Sequence, residues 1–119
     1  MKYLFLLRTS VPIPTDPGTR ESAETFAGFK RALDGMREAG VLIDCSPLEP
    51  VELATTVRVR DGQTLVTDGP AAELREQVGG STLVDCANLD EALQWAATIP
   101  TALTGTVEVR PVMGVRTPA

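Results

Sequence analysis

Residues 57–70 read VRVRDGQTLVTDGP. Apolar and polar side chains alternate from Val57 to Arg60, Asp61-Gly62 interrupts, and alternation resumes from Gln63 to Thr67. Asp-Gly between two alternating runs signals a two-residue type I′ turn, whose two central positions both need positive φ. The segment, taken as 54–67, is therefore a β-hairpin. The turn sets Arg60 opposite Gln63 and Arg58 opposite Leu65. One face then carries Val57, Val59, Thr64 and Val66. The other carries Arg58, Arg60, Gln63, Leu65 and Thr67. The valines fall together, so the register is self-consistent and they are expected to form a core face. Asp68-Gly69-Pro70 stops the second strand, since Gly permits positive φ and Pro cannot donate to a ladder.

Outward from the hairpin, strands and helices alternate. Residues 2–8 are apolar on both faces (Tyr3, Phe5, Leu7 and Leu4, Leu6), as a central strand should be. Residues 9–19 contain Pro12, Pro14, Pro17 and Gly18 and form a long Pro-rich loop. Over 21–39, Phe26, Phe29, Leu33 and Met36 make one helical stripe, which reads as core rather than as a cofactor box. Gly40 ends that helix. Val41-Leu42-Ile43 begins a second strand, and the prolines of 46–50 mark it as an edge. Residues 71–79 are an exposed charged segment closed by Gly79-Gly80. Thr82 to Cys86 is a strand. Asn88 then caps a helix with Glu91 three residues on, its stripe Leu89, Ala92, Leu93 and Ala96. Pro100 limits that helix at Ile99. A last strand runs from Thr106 to Val112, and residues 113–119 form a flexible tail.

Each half is thus strand–helix–strand, with the hairpin inserted between. The expected fold is α+β, a ferredoxin-like sandwich with both helices on one sheet face and the other face bare. At 119 residues a single domain over 1–119 is expected.

Composition narrows the function classes. A net charge of -5 disfavours nucleic acid and an anionic membrane surface. The run Tyr3-Leu4-Phe5-Leu6-Leu7 is far shorter than the roughly 20 residues of a membrane span. Arg8 ends it with no cleavage pattern after it, so no signal peptide is expected and the chain reads as cytoplasmic. Cys45 and Cys86 belong to no CxxC pair and read as reduced thiols, at least one in the core. With no His in the sequence, a His-based metal site or a Ser/Cys–His nucleophile within one chain is excluded. No metal and no cofactor is expected.

The hairpin's polar face leaves two readings open. It is a solvated face with weak ion pairs worth about 0–1 kcal/mol each, with Glu108 as a possible partner. Alternatively, this face and the bare side of the sheet meet a second subunit and enclose a cavity, which would cover Leu4, Leu6 and Leu65. Asp68 likewise either bonds its own following amides or lines a pocket mouth as a carboxylate. In the second case desolvation should raise its pKa and suit it to acid–base work.

The run VRVRDGQTLVTDGPAAELREQVGG resembles the signature of the YCII-related family, DGPF-domain type, whose members read close to TDGPFAETKEQLGG. The similarity continues through Leu89 to Ala96, Ile99-Pro100, Val107 to Val112, Met1 to Leu4 and Gly40 to Leu42. The resemblance implies a ferredoxin-like protomer that pairs as a homodimer into a dimeric α+β barrel, with a pocket associated with the sheet. It also implies a possible link to extracytoplasmic-function sigma factors. Some YCII-like members are proposed to be enzymes through a His-Asp pair. Here the His is missing, Ile99 stands where the Asp would be, Ala71 replaces the motif's Phe, and Leu74 and Arg75 replace Thr and Lys. The expectation is a dimeric small-molecule-binding or regulatory protein. Asp68, Gly69, Pro70, Arg58, Arg60 and Tyr3 are its binding-pocket candidates, and Asp68 is the one catalytic candidate.

Overall fold

The structure, a computed structural model, describes residues 1–11, 13 and 18–114. Among these described residues, six strands and three helices follow in order: β1 (Lys2–Thr9), α1 (Arg20–Glu38), β2 (Leu42–Pro47), β3 (Thr55–Arg60), β4 (Gln63–Asp68), β5 (Gln77–Asp85), α2 (Leu89–Thr98), α3 (Thr101–Thr104) and β6 (Thr106–Pro111). A single 3₁₀ turn, Val51–Leu53, links β2 to β3. Of the loop expected at 9–19, Thr9 belongs to β1, and residues 12 and 14–17 lie outside the described residues. So do 115–119 of the expected tail.

Four strands form one antiparallel sheet in the order β2-β5-β1-β6, an arrangement compatible with a ferredoxin-like α+β fold. β1 lies second from one edge and is apolar on both sides, whereas β2 is an edge strand ending at Pro47. One face of the sheet presents Tyr3, Phe5 and Leu7 with their partners Val84 and Thr82. These five are at most 4% exposed because α1 and α2 cover that face.

The helix ends follow their caps. Thr19 Oγ1 accepts from the Ser22 amide at 3.0 Å, and Gly40 takes φ 74° just past α1. Asn88 Oδ1 accepts from the Glu91 amide at 3.0 Å. Glu91 reaches back to the Ala87 amide at 3.2 Å, one residue before the position of a standard capping box. The two long helices meet where α1 is smooth. A Cβ on Gly35 would lie 3.2 Å from the Trp95 ring, and one on Gly28 would lie 2.9 Å from Pro100 Cγ. On α2 the buried residues are Ala92 and Ala96, while Leu89 and Leu93, expected in the stripe, are exposed. Trp95 thus lies against Gly35, while the small residues Ala92 and Ala96 face the core.

One expectation changes at β5. Gly79-Gly80 does not close a segment; both glycines lie inside the strand. A Cβ on Gly79 would sit 3.2 Å from Ile13 Cδ1, and one on Gly80 would sit 3.2 Å from the Ser46 carbonyl oxygen. The glycines let Ile13 and the edge strand β2 lie close against β5. A register shift between Leu7 and Arg8 accommodates the crowding.

β3 and β4 pair only with each other, as a separate two-stranded sheet. The register is Arg60 opposite Gln63, Arg58 opposite Leu65 and Val57 opposite Val66, with Asp61 at φ 51° and Gly62 at φ 75°. The valine face is not core: Val57 is 60%, Val59 59% and Val66 64% exposed. Alternation tells which side chains share a face, and nothing about what covers it. The hairpin stands off the main layer as an arm. The radius of gyration, 16.3 Å, exceeds the about 13.5 Å expected for a compact chain of this length. Among the described residues no helix is long and apolar enough to cross a membrane.

Candidate functional site

Two clefts flank Ile13 and Pro47, which line both. The first, about 680 Å³, opens where β1 ends beside the chain that leaves β2. Its walls are Thr9, Ser10 and Val11 from the end of β1, Leu48 to Glu52 beyond the edge strand, and Leu74, Arg75, Gln77 and Val78. Backbone and side-chain bonds fix these walls. The Leu48 amide donates to the Gly79 carbonyl at 2.9 Å, Gln77 Nε2 donates to the Ala72 carbonyl at 2.8 Å, and Thr106 Oγ1 donates to Glu76 at 3.1 Å. Glu49, Glu52 and Arg75 make its charged rim.

The second cleft is a slot of about 530 Å³ between α1 and the edge of the sheet. Leu7, Phe26, Phe29 and Leu33 form its apolar wall, with Cys45 and Ser81 from β2 and β5. Lys30, Asp34 and Arg37 stand at its mouth. Lys30 Nζ lies 2.6 Å from one Asp34 oxygen and Arg37 Nη1 lies 3.1 Å from the other. The Lys30 hydrogen bond, with the charges of Lys30 and Arg37, holds the Asp34 carboxyl below its usual range. The stripe expected to be core therefore splits. Met36 is fully buried, while Phe26 is 37% exposed and looks into the slot with Phe29 and Leu33. A third, shallower hollow of about 370 Å³ lies where α1 meets Trp95 and Pro100.

None of the pocket candidates from the sequence lines any of these clefts. Asp68 is exposed at the end of β4, with Gly69 and Pro70 half-buried behind it. The Gly69 amide donates to the Ala54 carbonyl at 2.7 Å and Thr56 Oγ1 donates to the Gly69 carbonyl at 2.7 Å, so DGP anchors the arm's base. Arg58 donates to the Ala71 carbonyl at 3.2 Å and Arg60 to the Val59 carbonyl at 2.9 Å, and both are exposed. Their expected partner Glu108 instead binds Arg8, Nε to Oε1 at 3.0 Å, on the sheet face that no helix covers. Leu65 belongs to the arm and not to that face. Tyr3 is 3% exposed in the core, its hydroxyl donating to Met1 Sδ at 3.4 Å.

One wall of the first cleft, Leu74, Arg75, Gln77 and Val78, was visible as the second half of the signature, but charge made that segment read as surface. Those of the slot were visible as the α1 stripe. Both cysteines are free thiols, and Cys86 is buried in the core cluster. Burial, then the Glu91 and Asp85 carboxylates, push its thiol up, the opposite of what a nucleophile needs. Among the described residues, no three His, Cys, Asp or Glu side chains are grouped to hold a metal ion.

An uncharacterized protein of Rhizobium meliloti (strain 1021) is 49% identical over 76 residues, which are 62% of this chain and 61% of that protein. The aligned part thus spans under two thirds of the relative's length. The family model of the YCII-related domain matches residues 1–116, and the chain therefore belongs to the YCII-related family.

Proposed function

We propose that this protein is a dimeric small-molecule-binding or regulatory member of its family, with the ligand held in the clefts around Ile13 and Pro47. The carrying observation is that two clefts of about 680 and 530 Å³ meet at those residues. Each falls in the roughly 300–1,000 Å³ range of ligand sites. The signature segment contributes Leu74, Arg75 and Gln77 to the wall of the first. Binding is favoured over catalysis because the cleft linings include no His, and Asp34, the carboxylate that shares the slot with Cys45, is engaged by Lys30 and Arg37. Dimerisation into an α+β barrel is supported by two uncovered surfaces. One is the sheet face bearing Leu4, Leu6 and Leu83, and the other is the valine face of the arm.

A thermal-shift screen of metabolites tests the binding. A ligand that binds only the folded state raises the midpoint, and the response should disappear when Gln77→Trp fills the first cleft or Leu33→Trp fills the slot. Silence across a broad library, with both variants melting as the parent does, would sink the proposal.

A further inference from the structure

Resting on the reading that a small molecule occupies these clefts, we propose that the slot between α1 and β2 takes an apolar carboxylate. Its hydrocarbon or aryl body lies against Leu7, Phe26, Phe29 and Leu33, and its carboxylate meets Lys30 and Arg37.

The slot's shape comes from one face of α1. Residues 26, 30, 33 and 37 are spaced by four, three and four, so they form a single stripe along the helix. Phe26 and Leu33 thus alternate with Lys30 and Arg37. The apolar members line the slot while the long basic side chains keep their ends in water at its mouth. The walls offer few hydrogen-bonding groups beyond the Cys45 thiol and the Ser81 hydroxyl. A ligand with a polar body would lose its water there without replacement. An apolar body has nothing to lose and covers Phe26 and Phe29, which the protomer leaves only partly buried.

Charge at the mouth selects the head group. Two cations face one carboxylate, and Asp34 holds both, which leaves one positive charge in excess. Asp34 is ionised through the neutral range as any ordinary carboxylate is, and the Lys30 hydrogen bond lowers its carboxyl further. The excess is local and opposite in sign to the chain, whose net charge is -5. An anion is therefore drawn to this mouth and repelled from most of the remaining surface. A cationic head would find Asp34 already engaged by two partners.

Octanoate and 1-octanol share a chain and differ in charge, so amide NMR titrations with the two separate the claims. Octanoate should shift resonances within residues 26–37 and 45–47, and should bind about threefold or more tightly than octanol, the gain expected from exposed ion pairs. Lys30→Glu and Arg37→Gln should each bring octanoate down toward octanol, narrowing the ratio of the two affinities. Equal affinity of the two probes for the parent protein would overturn the carboxylate assignment while leaving small-molecule binding intact. Shifts confined to the valine arm or to the first cleft would overturn the slot as the site. Failure of both probes, alongside a positive metabolite screen that Leu33→Trp does not affect, would do the same. Failure of both with a silent screen would remove the binding proposal itself.

Discussion

β5 and β4 are both short alternating strands of one chain, and their side chains meet opposite fates. In β5, Val84 is fully buried and Thr82 is 1% exposed, because α1 and α2 lie over them. In β4, Val66 is 64% and Leu65 45% exposed, so neither face of the arm is covered. Local pattern is equally good in the two. What differs is the partner: β5 has two neighbouring strands and a helical layer, while β4 has only β3. A two-stranded hairpin alone is marginal in water. The arm's conformation is specified by Asp61-Gly62 and by the DGP anchor, whereas the main layer is specified by burial.

That contrast sets the scale of what substitutions should do. The largest effect is expected at the centre of the covered face. Phe5 is 0% exposed, between β5 and β6 and beneath the helices. Phe5→Ala should cost about 3–5 kcal/mol, the usual range for emptying a packed aromatic site. Urea unfolding followed by far-UV circular dichroism reads it directly. A loss below about 1 kcal/mol would mean that the covered layer is not the stabilising half.

A smaller loss is expected one step from the core, at the start of α2. Asn88→Ala removes the acceptor for the Glu91 amide but leaves the Ala92 and Ala96 contacts in place. A cap of this kind is worth about 1 kcal/mol. Asn88→Asp keeps the acceptor and should recover the parent midpoint. If Asn88→Ala and Asn88→Asp unfold alike, the cap does not govern this helix start.

The same division explains what could be read from the residues in advance. Turn chemistry is local, so Asp61-Gly62 delivered the hairpin register pair by pair. The caps at Asn88 and Gly40 are local too, as is the break at Pro100. Burial is not local. Val57 and Val59 have the same alternation as Tyr3 and Phe5, and nothing in either run states which will meet a helix. The α1 stripe shows the middle case. Its periodicity was legible, but the point along the helix where core gives way to slot depends on how far β2 extends at the sheet edge. The clefts were less legible for a related reason. DGP is conspicuous because its backbone is unusual, and unusual backbone marks the arm's anchor. The cleft wall is built four residues later from Leu74, Arg75 and Gln77, whose types carry no such mark.

The smallest effect on the protomer, and the most telling about the arm, is expected at the valine face. Val57→Ser and Val59→Ser change side chains that are 60% and 59% exposed in the protomer. Within an isolated protomer each should alter stability by no more than about 0.5 kcal/mol, as surface changes do. If a second copy covers this face, as the proposed dimer requires, the two changes act instead on association. The double variant should then scatter light as a 12.7 kDa particle at concentrations where the parent is twice that mass. Its melting temperature should also stop rising with protein concentration, since only an associating chain is stabilised by mass action. A parent protein that is itself monomeric at micromolar concentration would end the dimer proposal and leave the arm uncovered. A double variant that stays dimeric would move the interface to the helix-free sheet face, where Leu4, Leu6 and the Arg8–Glu108 pair lie. In that case the difference between β4 and β5 would lie in the arm's turn chemistry alone, with no partner surface required to explain its valines.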